Sequence, residues 1–432
     1  MTSTDPTSST PDLTASATVA KPAPSQAPTD VAAHADATVQ PGLVAPTRRR
    51  NGLLVLGIIG VIILAVVGLI VAVYLIVGLG PDAVALGGIL ALIPLTIVFF
   101  GVRWIDRWEP EPRLAVVFAF LWGAAVAVGI ALVIGTGIDP VLVALSQGDD
   151  FVYEFLGAAI QAPIVEESAK GLGLLLIFFV ARKHFDGPVD GIVYAAWVAG
   201  GFAFTENILY FGTELLNSGG FDGAVGEIFL IRGILSPFAH VMFTAATGIA
   251  LGIAARQSNR LLGIVAFLIG LIPAMLLHGL WNGALFFVGD FYGYYAIVQV
   301  PLFIGAVLLV VFLRRQEAKL THDRLAEYAA AGWFAQDEIG ALATGTGRRQ
   351  ALAWAARSGK RREMKRYIQD ATRLAFARQR IITGRGRGGA QADEAALLGA
   401  IVESRKNLVG VGAAVSALPQ TPPAAVHTDP TS

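Results

Sequence analysis

The chain has 432 residues, 55% of them hydrophobic and only 15% charged, with mean hydropathy +0.63. An ordinary soluble protein carries about 25% charged residues, so this composition excludes one. The absence of Cys excludes a disulfide scaffold, a thiol nucleophile, an Fe–S cluster and Cys-ligated zinc, and 32 basic against 32 acidic residues leave net charge silent about partners.

Residues 1–47 are rich in Ala, Pro, Ser, Thr and Asp, with Lys21 as their only basic residue. Such a segment buries too little apolar surface to offset its ordering entropy, so it reads as a disordered cytoplasmic tail. Eight apolar stretches of about the 20 residues that a bilayer core demands follow, at 53–77, 83–100, 114–134, 153–180, 189–211, 227–254, 261–288 and 294–313. The fold class is therefore all-α: a polytopic membrane helix bundle of about eight transmembrane helices, its membrane domain spanning 48–313.

The loops support the count. Arg48, Arg49 and Arg50 precede the first span. Basic residues then return on one side only, at Arg103, Arg107 and Arg113, at Arg182 and Lys183, at Arg256 and Arg260, and at Arg314 and Arg315. The opposite loops contain no Lys or Arg. By the positive-inside rule both termini are cytoplasmic. Residues 314–411 form a basic extension expected to be helical, with amphipathic segments at 348–357 and 361–380 and a breaker at 384–389. With 19 basic and 11 acidic residues from Arg314 onward, it reads as a solvated tail near anionic headgroups. The short Arg385–Arg387 run is a weak hint of RNA, and no nucleic-acid partner is expected. Residues 412–432 read as a second disordered tail.

Ionisable residues inside a bilayer are costly and mark function by default. The fourth span carries Glu166, Glu167 and Lys170; the fifth, Glu206 and Asn207; the sixth, His240 and Thr244; the seventh, His278 and Asn282. Glu166 and Lys170, His240 and Thr244, and His278 and Asn282 are each four apart, so each pair shares a helix face. Glu166 and His240 fall near mid-span, Glu206 and His278 toward the non-cytoplasmic ends. Pointed inward together, these faces imply a polar cavity at or outside the midplane.

One Lys170 cannot neutralise two adjacent glutamates, which leaves a carboxyl group suited to proton transfer. A carboxylate can activate water, a histidine can share the proton, and a His–Asn pair can donate to an oxyanion. That set can hydrolyse an amide without a covalent nucleophile. A zinc ion held by His240, His278 and Glu166 is an open alternative, although no His-Glu-x-x-His motif is present. A proton-coupled transporter or sensor using the same groups is another, and an inactive scaffold a third. A structural salt bridge at Glu166–Lys170 and interhelical glue at Glu206–Asn207 are the plainer readings of those pairs.

Four segments, Glu166-Glu167-Ser168-Ala169-Lys170, Phe202-Ala203-Phe204-Thr205-Glu206-Asn207, His240-Val241-Met242-Phe243-Thr244 and His278-Gly279-Leu280-Trp281-Asn282, resemble in order the motifs of PrsW-type intramembrane proteases. These are similar to type II CAAX prenyl endopeptidases and bacterial CPBP proteins. The segment Asp106-Arg107-Trp108-Glu109-Pro110-Glu111-Pro112 is also similar to PrsW-like chains. The resemblance implies site-1 type cleavage of membrane-bound substrates, notably anti-sigma factors, in a bacterial cell membrane. It also implies Glu166 as the water-activating base supported by Glu167, His240 in proton transfer, and His278 with Asn282 as oxyanion site. Glu206 matches PrsW and departs from the prenyl endopeptidases.

Overall fold

The computed structural model describes residues 49–385 and 389–409. The two tails read as disordered, and Arg387, lie outside them. Helices alone appear among the described residues. In chain order these are α1 (Arg49–Leu79), α2 (Pro81–Ile105), α3 (Arg113–Leu121), α4 (Val128–Ser146), α5 (Asp150–Phe155), α6 (Ala162–Val180) and α7 (Pro188–Asn217). They continue as α8 (Gly223–Phe229), α9 (Ala239–Ala255), α10 (Leu262–Ala284), α11 (Phe291–Tyr294) and α12 (Val300–Ala330). Wide π-turns at Trp122–Ala127 and Leu156–Gln161 join α3 to α4 and α5 to α6; those at Leu230–Leu235 and Tyr295–Gln299 follow α8 and precede α12.

Seven of the described helical rods are long and apolar enough to cross a membrane. The α5–α6 rod, expected as a further span, is not among them: it carries Glu166, Glu167 and Lys170. The loops without Lys or Arg carry aspartates that start the next helix. Asp149, Asp222 and Asp290 each accept from a backbone N–H three residues on, at 3.0 Å, which satisfies a donor that the first turn leaves open.

From Gly52 onward the chain is one compact unit. Helix α7 is its axis: three apolar clusters draw on it, one around Tyr194 and Val198, one around Ile192 and Val193, one around Phe202. Small residues let its neighbours close in. A Cβ on Gly191 would lie 1.9 Å from the Gly248 carbonyl oxygen, so α7 and α9 touch backbone to backbone. Lipid offers no hydrophobic gain for helix association, and close packing of this kind supplies the attraction instead.

The last span does not stop at 313. Residues 314–330 contain neither Gly nor Pro, and α12 runs through them to Ala330. Helices α13 (Gln336–Ala343), α14 (Gly345–Arg357), α15 (Arg361–Ile382) and α16 (Ala390–Val409) then pack with the end of α12 around Leu325, Tyr328, Leu342, Leu374 and Ile401. The extension expected as a solvated tail thus has its own core. It also grips the basic face of the bundle. Arg348 donates to the Trp108 carbonyl at 3.0 Å and lies over its ring at 3.4 Å. Arg380 and Arg385 reach Asp186 at 2.5 and 3.2 Å, so Arg385 is engaged within the fold.

Candidate active site

The four polar faces meet. Glu166 stands 14 residues before the end of α6 and His240 15 before the end of α9, while His278 and Glu206 stand 16 and 18 after the starts of α10 and α7. Those ends share the basic face, so all four groups lie at about 21–27 Å from it at 1.5 Å per residue. The expected offset of Glu206 and His278 outward from Glu166 and His240 shrinks to about one helical turn.

Lys170 is the hub. Its Nζ donates to Glu167 Oε1 at 2.9 Å, to Glu166 Oε2 at 3.1 Å and to His240 Nδ1 at 3.1 Å. The ammonium also lies 3.8 Å from the Phe202 ring centroid, a cation–π contact made stronger by the absence of water. An ammonium can only donate, so His240 Nδ1 accepts and its proton sits on Nε2, directed at Glu206 Oε2 2.8 Å away.

The two adjacent glutamates differ. Glu167 is saturated: Lys170 and His278 Nδ1 share Oε1 at 2.9 and 3.1 Å, and the Thr244 hydroxyl donates to Oε2 at 2.8 Å. Because that carboxylate accepts from Nδ1, the His278 lone pair is on Nε2, which lies 3.9 Å from Glu166 Oε2. Glu166 has Lys170 on Oε2, and among the described residues nothing bonds its Oε1. It is 9% exposed where Lys170 is 0% and His278 2%. The less buried side of the cluster is therefore lined by Glu166, Glu206 and His240.

The π-turns shape the surroundings. A turn with i→i+5 bonds leaves a carbonyl without its usual helical partner. Thr205 donates to the Ala124 carbonyl at 2.8 Å, and Asn282 Nδ2 to the Ala158 carbonyl at 2.9 Å. Asn282 was expected beside His278 as an oxyanion donor. Its amide donates to that carbonyl in the turn before α6. Asn207 turns to Arg232, accepting from its Nε at 3.0 Å. Arg232, absent from the expected set, also reaches Glu206 Oε2 at 2.5 Å. An Arg inside the sixth apolar stretch was its visible signal.

Glu166, His240 and His278 can each offer an atom to a metal, all within 4.8 Å of one another. Two imidazoles and a carboxylate fit a catalytic zinc site. Each histidine also gives its other nitrogen to a carboxylate, Glu206 or Glu167, as metal-binding histidines do.

Residues 111–306 match the family described as PrsW family intramembrane metalloprotease. Protease PrsW of Clostridioides difficile (strain 630) is 28% identical over 194 residues, 45% of this chain and 76% of that protein. Protease PrsW of Geobacillus kaustophilus (strain HTA426) is 28% identical over 218 residues, 50% of this chain and 84% of that one. Protease PrsW of Bacillus subtilis (strain 168) is 31% identical over 178 residues, 41% of this chain and 72% of its own length. The chain belongs to the PrsW family. No solved structure matches it.

This PrsW family member is thus a bacterial multi-pass membrane peptidase whose substrates are embedded in the bilayer. All the converging residues fall within the matched segment, whereas α13 to α16 lie beyond it.

Proposed function

We propose that this chain is an intramembrane endopeptidase that hydrolyses a peptide bond of a membrane-bound protein with water activated by Glu166. The observation that carries the proposal is the contrast between neighbours: Glu167 is saturated by three donors, while Glu166 keeps an oxygen free on the less buried side. Glu166 takes a proton from water as the oxygen attacks the scissile carbonyl carbon. The proton then moves to the leaving nitrogen as the C–N bond breaks, and His278 Nε2 stands beside Glu166 to share it. Lys170 offsets the carboxylate charge throughout. Glu167 orients His278, and His240 completes the hub around Lys170.

The alternation of basic loops supports cytoplasmic termini, with domains at 1–47, 48–313, 314–411 and 412–432. Since α12 is unbroken from Val300 to Ala330, the boundary at 313/314 lies inside one helix. Site-1 type cleavage of an anti-sigma factor is the substrate reading implied by the resemblance.

The zinc reading is favoured by the ligand atoms of Glu166, His240 and His278 converging within 4.8 Å. Bound there, zinc supplies Lewis acidity toward a carbonyl oxygen and toward water. Lys170 holds Glu166 and His240, so the ammonium and the ion would compete for both. Full activity after exhaustive chelation, with no metal in the purified protein, excludes this reading. The test of the main proposal compares the membrane proteomes of cells making wild type or Glu166→Gln. Single-span proteins should accumulate uncut with the variant; no difference, with the variant inserted, points to a transporter or sensor.

A further inference from the structure

The peptidase reading leaves Arg232 without a task. It sits on the π-turn Leu230–Leu235 in the apolar stretch before α9, a costly place for a guanidinium. Every surrounding contact fixes it. Its Nη2 lies 2.5 Å from Glu206 Oε2, its Nε donates to Asn207 Oδ1 at 3.0 Å, and its Cζ lies 3.9 Å over the Tyr210 ring. Tyr210 stands four residues after Glu206 and three after Asn207 on α7, so one side of that helix holds the guanidinium.

A plain salt bridge between α7 and the α8–α9 rod would need nothing more. The same Glu206 oxygen, however, also lies 2.8 Å from His240 Nε2. Arg232 thereby fixes the carboxylate that fixes the imidazole, and the opposite nitrogen of that imidazole accepts from Lys170. A carboxylate behind a functional histidine sets which nitrogen carries the proton and where the ring points. The wide turn matters as well. Without its extra residue, Arg232 would rotate by about 100° along a regular helix and lose this face.

We propose that Arg232 is a positioning residue that fixes the Glu206 carboxylate and, through it, the His240 Nε2–H and the aim of that ring. The chain is Arg232, Glu206, His240, Lys170, Glu166, and it enters the cluster from the less buried side. The inference rests on the peptidase reading for its meaning, but its geometry can be tested on the resting protein.

The experiment is nitrogen NMR of the full chain in detergent micelles, with ¹⁵N-labelled histidine. Six histidines keep the spectrum assignable, and His240→Gln and His278→Gln identify their two signals. In wild type, His240 should show a protonated Nε2 and an unprotonated Nδ1. Arg232→Gln should shift the Nε2 signal as Glu206 loses its anchor, while Nδ1, which still accepts from Lys170, stays unprotonated and His278 stays in place; Arg232→Lys should restore part of the pattern. Because Arg232→Gln leaves the Glu206 carboxylate without its guanidinium, the double variant Arg232→Gln/Glu206→Gln guards against misfolding. It should give the His240 spectrum of Glu206→Gln alone, the mark of two residues acting in series.

For a membrane protein identified as a substrate, Arg232→Gln should lower kcat about 10- to 100-fold with little change in KM, the range typical of such supporting groups. A His240 spectrum unmoved by Arg232→Gln, or loss confined to KM, overturns the inference. Neither outcome touches the base assignment, which stands or falls with Glu166→Gln.

Discussion

Lys170 Nζ lies 2.9 Å from Glu167 Oε1 on α6, with neither side chain exposed. Around them Glu166, Glu167 and Glu206 face the two permanent cations Lys170 and Arg232. One negative charge is left over, to be shared with a proton. A cluster balanced in this way can pass a proton without creating a second buried charge.

Removing the hub should therefore cost stability as well as activity. Breaking a buried ion pair from one side typically costs about 3–5 kcal/mol, because it strands the partner charge. Lys170→Met should lower the thermal unfolding midpoint in detergent and abolish cleavage. A Lys170→Met protein as stable as wild type would mean that the carboxylates are not held by the ammonium.

Thr244 offers a finer probe. Its hydroxyl donates to Glu167 Oε2 at 2.8 Å in a site closed to solvent. Thr244→Val keeps the shape and removes the donor, so it should destabilise by about 1–3 kcal/mol. Thr244→Ser should keep most of the stability. Equal unfolding midpoints for the two variants would contradict the hydrogen bond's role.

The α7–α9 contact carries Glu206 on one helix and His240 on the other, so packing and chemistry are linked there. Gly191→Ala would press a methyl group into the Gly248 backbone at 1.9 Å. Overpacking of that kind costs about 1–3 kcal/mol. The helices must part, and cleavage should fall even though Gly191 lies far from the carboxylates. Wild-type activity in Gly191→Ala would show that the 2.8 Å Glu206–His240 distance tolerates this shift.

Much of this arrangement was legible in the chain. Apolar runs and the one-sided basic loops marked the crossings, because bilayer thickness and the charge rule act on composition alone. Glu166, Glu167, Lys170, His240 and His278 announced themselves as ionisable groups in apolar stretches with helical spacing. The bond from Asn282 to the Ala158 carbonyl was not legible, because no spacing rule marks the π-turn that frees that carbonyl. Arg232 was visible as an Arg in an apolar run. Its meaning depends on Glu206, 26 residues away on another helix. The extension's grip on the bundle joins Arg348 to Trp108 across 240 residues, a long-range fact that local composition does not hold.

The basic face of the bundle should make stability respond to pH. Burial pushes the Asp106 carboxyl up to about 6, even though it accepts a hydrogen bond from the Glu111 backbone and lies near Arg103. Burial likewise raises Glu109 and Glu111, reinforced by Asp186 for the first and Asp190 for the second. A raised carboxyl binds its proton more tightly in the folded state. Its contribution is complete below the unfolded value near 4 and is lost as pH climbs through about 6. The unfolding midpoint in detergent should fall over that window. Asp106→Asn retains an acceptor for the Glu111 N–H and should flatten part of the slope; an unchanged slope would clear Asp106 of the effect.

The central claim is that Glu166 activates the attacking water. The most direct measurement is cleavage of a single-span membrane substrate by purified, reconstituted wild type and Glu166→Gln, with unfolding midpoints recorded alongside. We predict that Glu166→Gln keeps the wild-type midpoint to within a few degrees and loses at least the 10²–10⁴-fold that general-base catalysis contributes. Full cleavage by a folded Glu166→Gln protein would contradict the account and move the base elsewhere in the cluster.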